Sequence, residues 1–157
     1  MTQFFNYELA QTRSAAHHDP DWLLQQFVSL ANDGTGTFGV TLLVDGTLVS
    51  GNIIGGAEYL ESMGKQFGGA IGMAEEEAAA LYKPFIDAYY SKGDAADAKV
   101  EDDEDEDHVP PSFIHLKNVK ILQASGLVPQ KQDGLLWRGR LAHVGGWMLG
   151  TLGDKEL

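Results

Sequence analysis

Apolar side chains at Leu23, Leu24, Phe27, Val28, Leu30 and Ala31 recur at the three-and-four spacing that gathers one buried stripe on a helix. The stretch before them, Asp19-Pro20-Asp21, predicts the start: Asp19 serves as the cap for free backbone amides, and proline suits the first helical position. Asn32-Asp33-Gly34 supplies the stop, so the pattern predicts a helix of about three to four turns. The period then changes. Phe38, Val40, Leu42 and Val44 alternate with Gly39, Thr41, Leu43 and Asp45, the repeat of a strand with one buried face. Asp45-Gly46 predicts a tight hairpin turn, and Thr47–Ile54 is the return strand. Gly51 in the middle of that strand marks a bend or bulge.

Helical spacing returns from Ala57 to Phe67, with Tyr59, Leu60, Met63 and Phe67 on one stripe and Gly68-Gly69 expected to break it. From Met73 to Tyr90 an Ala- and Glu-rich stretch carries Leu81, Tyr82, Phe85 and Tyr89 at helical spacing; Pro84 is expected to kink or divide that helix. Strand chemistry resumes at Ser112–Gln123, where the alternation slips by one residue between Leu116 and Val119 and predicts a bulge at Asn118. Leu135–Val144 reads as one further strand, Trp137, Leu141 and His143 facing one way and Arg138, Arg140 and Val144 the other. Gly145-Gly146 is expected to turn it into Trp147–Leu152 as a second hairpin. Antiparallel strands with segregated helices give an α+β class: a small, strongly bent antiparallel sheet or barrel, with Gly39, Gly51, Gly139 and Gly150 as corners, an N-terminal helix and a helical, acidic insertion.

Composition changes the picture in one place. The 157 residues carry 23 acidic and 11 basic side chains, a net charge of -12. Residues 94–107 hold -8 of it, including seven consecutive acids from Glu101 to Asp107, which leaves -4 for everything else. Such a run repels itself and cannot bury a core, so it reads as a solvated linker; it lacks the glycine-punctuated spacing of a calcium loop. The expected organisation is a flexible arm at 1–18 and a single domain at 19–152. That domain is interrupted by a helical insert at 57–90 and an acidic linker at 91–111, and a tail follows at 153–157.

The acidic balance argues against DNA and anionic lipid surfaces. The absence of cysteine removes disulfides, thiol catalysis and Cys-ligated metals. No apolar run approaches the roughly 20 residues of a membrane span, and Met1–Arg13 does not read as a signal peptide, so the cytoplasm is the expected compartment.

Chemistry-bearing residues are few. His17-His18-Asp19 has metal-ligand types without a third ligand at a defined spacing and reads as a loop before the helix, so no metal is expected. His115 and His143 fall in predicted strands and read as structural or surface histidines. Ser50 lacks the nucleophile-elbow context, and neither Gly34-Thr35-Gly36 nor Gly145-Gly146 matches a phosphate loop. No acid, base and nucleophile converge, so no enzyme and no cofactor are expected. The assembly-surface candidates are Trp137, Arg138, Arg140 and Trp147, because Trp and Arg combine contact area with a polar handle. The plainer reading makes the tryptophans core aromatics and the arginines a solvated face, and both readings stand at this point.

The order of helix, strand, Asp-Gly hairpin and glycine-bent second strand, with VTLLVDGTLVSGNIIGG in particular, resembles the Sm-like small barrel over about 35 residues. A broader resemblance spans three ordered blocks: Gly46, Ser50, Gly51, Glu58 and Tyr59; then Phe113, Ile114, His115, Leu116, Lys117 and Asn118; then Trp137, Arg138, Gly139, Gly146 and Gly150. Together they make the chain similar to the gas vesicle accessory protein U (GvpU) family. That resemblance implies a non-enzymatic protein that associates with itself, with the gas vesicle shell or with other gas vesicle proteins, and that influences vesicle clustering. The Sm-like resemblance implies instead a ring that binds a small ligand or single-stranded RNA.

Overall fold

The helix-start residues lie where the sequence places them, but the cap itself is Asp21, whose carboxylate accepts the Leu24 amide at 2.9 Å. Asp19 therefore does not serve as the cap. A computed structural model of the chain describes residues 19–89, 110–129 and 135–153. The expected arm at 1–18 and most of the expected linker lie outside the described residues.

Helix α1 (Trp22–Asn32) buries Leu24, Val28 and Ala31, three positions on one stripe. The stripe lies on a six-stranded antiparallel sheet, where β1 (Phe38–Val44) and β2 (Thr47–Ile54) form the expected hairpin. Asp45 and Gly46 turn it with φ of 48° and 81°, the left-handed pair such a turn requires. Val40, Leu42, Val49 and Ile53 meet α1 together with Ile114, Leu116, Val119 and Leu141, and Phe27, Phe38 and Trp147 close the margin. Each of the larger aliphatic side chains fully withdrawn there contributes about 1.5–3 kcal/mol.

Strand β3 (Phe113–Gln123) pairs with β2, and here two irregularities expected separately prove to be one. Ser50 faces Lys120 and Asn52 faces Lys117, so Gly51 alone opposes Asn118 and Val119. Asn118 takes the positive φ of 54° that the extra residue demands. Gly51 admits no side chain, since a Cβ there would lie 2.9 Å from the Lys117 carbonyl oxygen.

The other edge of β3 is lined by two pieces of chain. The short β4 (Gly126–Val128), which the sequence pattern did not signal, pairs with Ile121–Gln123, and β5 (Trp137–Arg140) pairs with Phe113–Leu116. A 3-10 turn, Leu141–His143, then leads into β6 (Val144–Leu149), which pairs with β1 at the far side of the sheet. The continuous strand expected from Leu135 to Val144 is thus divided, and Gly145-Gly146 lie inside β6 rather than in a hairpin turn. Leu141 is the cause: it is buried in the core, and the backbone turns around it from the β3 edge to the β1 edge. Three residues make that crossing. It remains open, with the order β4-β3-β2-β1-β6 and β5 beside β3, and no ladder joins β5 to β6 among the described residues. The α+β class holds, and the pairing does not close a barrel.

Helices α2 (Gly56–Ala70) and α3 (Glu75–Tyr89) form an antiparallel helical pair. Two expectations change here. Helix α2 runs through Gly68-Gly69, and α3 runs through Pro84 undivided. Gly64 and Gly68 lie one turn apart against Tyr82 and Ala78, so that a Cβ at Gly68 would overlap Ala78. Close approach of the helix backbones sets those positions, rather than the chain-breaking tendency of glycine. The same contact leaves larger side chains outside it, and Phe67, Leu81 and Phe85, apolar at helical spacing, are exposed.

Candidate functional site

Alternation splits β3 into two chemically different faces. Ile114 and Leu116 point into the core beneath α1, while Phe113, His115 and Lys117 point to the opposite face. In the ladder with β5, Phe113 lies opposite Arg140 and His115 opposite Arg138, so both arginines share the face of Phe113. The guanidinium carbon of Arg138 sits 3.8 Å above the Phe113 ring centroid, and that of Arg140 sits 5.6 Å away. Two cations on one half-buried ring gain from cation–π attraction and carry several N–H donors on exposed side chains.

The first turns of α2 supply the rest. Tyr59 packs on the His115 ring at 4.6 Å between centroids, and Glu58 accepts an ion-paired hydrogen bond from Lys117 Nζ at 2.8 Å. His115 is buried, and its Nδ1 has no hydrogen-bond partner among the described residues. Burial, reinforced by the positive charge of Arg138, pushes its pKa down to about 4, so the ring is neutral at physiological pH. Residues from all three blocks named above thereby meet on one face: Glu58 and Tyr59, Phe113, His115 and Lys117, and Arg138.

The four assembly-surface candidates separate. Arg138 and Arg140 converge on Phe113. Trp137 belongs to the opposite face of the same strand, where it packs against the core beside its ladder partner Leu116 and folds across Gly139. Trp147 lies in β6, opposite Leu42, with its ring 5.6 Å from that of Phe27. Sequence reasoning placed the two arginines on one side of their strand and missed Phe113, Tyr59 and His115 as their neighbours. The alternation of Ser112–Gln123 signalled which side chains share a face, but nothing in it signalled that β5 would pair there.

The remaining candidates have structural surroundings. Ser50 is buried. Its Oγ accepts the Leu152 amide at 2.8 Å and lies 3.1 Å from the Thr41 hydroxyl, which donates to the Gly150 carbonyl at 2.9 Å. This network fastens the chain after β6 across β1 and β2. His143 is in the 3-10 turn rather than a strand, exposed, with Nδ1 3.9 Å from Asp45. His17 and His18 lie outside the described residues. Among the described residues no group of three or more His, Asp or Glu side chains is arranged to hold a metal ion, and no helix is long and apolar enough to cross a membrane.

No curated protein and no solved structure matches this chain. The family model described as gas vesicle protein GvpU-like does, over residues 21–152, a span that runs from the α1 cap through every described strand and helix to the segment held by Ser50. The chain belongs to the GvpU-like family of gas vesicle proteins.

Proposed function

We propose that this protein is a non-enzymatic gas vesicle accessory protein of the cytoplasm that associates with itself and with the vesicle shell or its proteins, and so influences how vesicles cluster. The observation that carries this reading is the family match across residues 21–152. The exposed arginines of β5 support it. Arg138 and Arg140 present guanidinium groups on an aromatic support, and Trp137 and Trp147 anchor β5 and β6 from behind by packing on the core. Rigid strands holding Arg donors suit contact with an acidic or carbonyl-rich surface, because the planar guanidinium binds such oxygens in a fixed fork.

Buoyancy gives the direct test. Purified protein is mixed with isolated vesicles, the vesicles are floated, and the floating layer is assayed for protein while clustering is followed by light microscopy. Co-flotation with clustering is the expected result. Protein that stays below the floating layer at every salt concentration overturns vesicle binding, and a gel shift with unstructured RNA then tests the ring-forming alternative.

A further inference from the structure

Two guanidinium groups share the Phe113 ring, at 3.8 Å and 5.6 Å from its centroid, and both side chains are exposed. They repel one another, and Glu58, which α2 brings to the same face of β3, is engaged by Lys117 at 2.8 Å instead. The face therefore favours a ligand with several carboxylates that can be shared between the two forks. Such a ligand is encoded immediately upstream. Glu101–Asp107 is an unbroken run of seven acids, and only five residues separate Asp107 from Phe113, which is itself the ladder partner of Arg140. Six residue steps span about 20 Å at most, and Ser112 is already held beside β5 by the Leu141 amide at 3.0 Å. The acidic run is thus tethered within reach of the arginines, at an effective concentration on the order of millimolar.

We propose that the Phe113–Arg138–Arg140 surface is the docking site of the chain's own acidic segment, Glu101–Asp107. The inference rests on the reading of the two arginines as a contact surface, and not on the vesicle as their partner. Its consequence is salt dependence of a definite sign. At low ionic strength the segment occupies the arginines, and the docking weakens as the Debye length falls from about 30 Å at 0.01 M to about 3 Å at 1 M.

The lack of cysteine makes the test clean, since Glu104→Cys introduces a single thiol for a nitroxide label. Paramagnetic broadening is read on the backbone amides of the isotope-labelled full chain at a concentration where sedimentation shows no association. The expected result is loss of the Arg138, Gly139 and Arg140 signals at low salt. Those signals recover at high salt and in the Arg138→Gln, Arg140→Gln double variant, whose exposed substitutions leave the fold intact. Full signal intensity at low salt overturns the proposal. Broadening that is unchanged in the double variant also overturns it, because tethering alone then brings the segment near. A mixture of nitroxide-bearing unenriched chains with isotope-enriched unlabelled chains tests the remaining route: broadening there means that the segment docks between copies, and the intramolecular proposal falls. No vesicle is present, so failure of flotation and failure of this docking are separate results.

Discussion

The side-chain oxygen of Asn32, the last residue of α1, accepts the backbone N–H of Gly56, the first residue of α2, at 2.9 Å. The residue before α2 is Gly55, which has no side chain to cap it, so the end of one helix caps the start of another across 24 positions of sequence. The two backbones also touch: a Cβ at Gly55 would lie 2.8 Å from the Ala31 carbonyl oxygen. Replacing Asn32 by Ala should lower stability by about 1 kcal/mol, while Asn32→Asp keeps the acceptor and most of that stability. Urea unfolding of the two variants checks this, and equal losses would show that the cap contributes nothing.

Gly68 and Gly69 are adjacent in α2 and should respond oppositely to alanine. A methyl at Gly68 would overlap Ala78, so Gly68→Ala should destabilise the helical pair by about 1–3 kcal/mol through overpacking. At Gly69 nothing lies within 4 Å, and Gly69→Ala should stabilise by about 0.5–1 kcal/mol through helix propensity. Amide exchange in α2 and α3 would report the two signs.

Ser50→Ala removes the acceptor for the Leu152 amide and a neighbour of the Thr41 hydroxyl inside a buried network. A loss of about 1–3 kcal/mol is expected, with the largest gain in exchange rate at Leu152. A uniform change across the domain would mean that the segment after β6 is held by other contacts.

His115 sets a pH dependence whose sign follows from its pKa, lowered from 6.5 to about 4 in the folded protein. Between those values the unfolded chain binds a proton that the folded chain does not, so stability falls as pH drops through 6.5 and levels off below about 4. From pH 7 to pH 5 the loss from this residue should be about 2 kcal/mol. His115→Leu should flatten that part of the profile; an unaltered slope in denaturant unfolding would remove His115 as its source.

Arg138→Glu with Arg140→Glu reverses two charges on an exposed face while leaving the core side chains of β5 untouched. The fold should change in stability by no more than about 0.5 kcal/mol per site, whereas self-association in sedimentation, and co-flotation with vesicles, should weaken. Unchanged association would assign the contact to another surface, for example that carrying Phe67, Ile71, Leu81 and Phe85.

Local chemistry was legible wherever one residue decides a backbone state. Asp45-Gly46 forms the expected turn, and Gly51 and Asn118 each mark a real irregularity. Their identity as a single bulge was not legible, since it depends on the register in which β2 meets β3. The reading of Gly68-Gly69 as a helix break failed for a related reason: a glycine that ends a helix and one that admits a second helix look alike until the partner is known. Gly145-Gly146 misled in the same way, because the chain turns at buried Leu141 instead. At the candidate site the sequence showed that Arg138 and Arg140 share one side of their strand, but not the ring they converge on, 25 and 27 residues upstream at Phe113.

By itself the sequence determined the three helices, the β1–β2 hairpin and β3 in their order, the α+β class, the position of the acidic run and the family, because periodicity, turn chemistry and charge are written within a few residues of where they act. The tertiary structure decided the rest. It sends β5 and β6 to opposite sides of an open sheet, seats α2 on the face opposite α1, and gathers Tyr59, Phe113, His115, Arg138 and Arg140 together. Those choices depend on which buried side chains fit against one another across long stretches of chain, and packing of that kind leaves no periodic trace in the segments it joins.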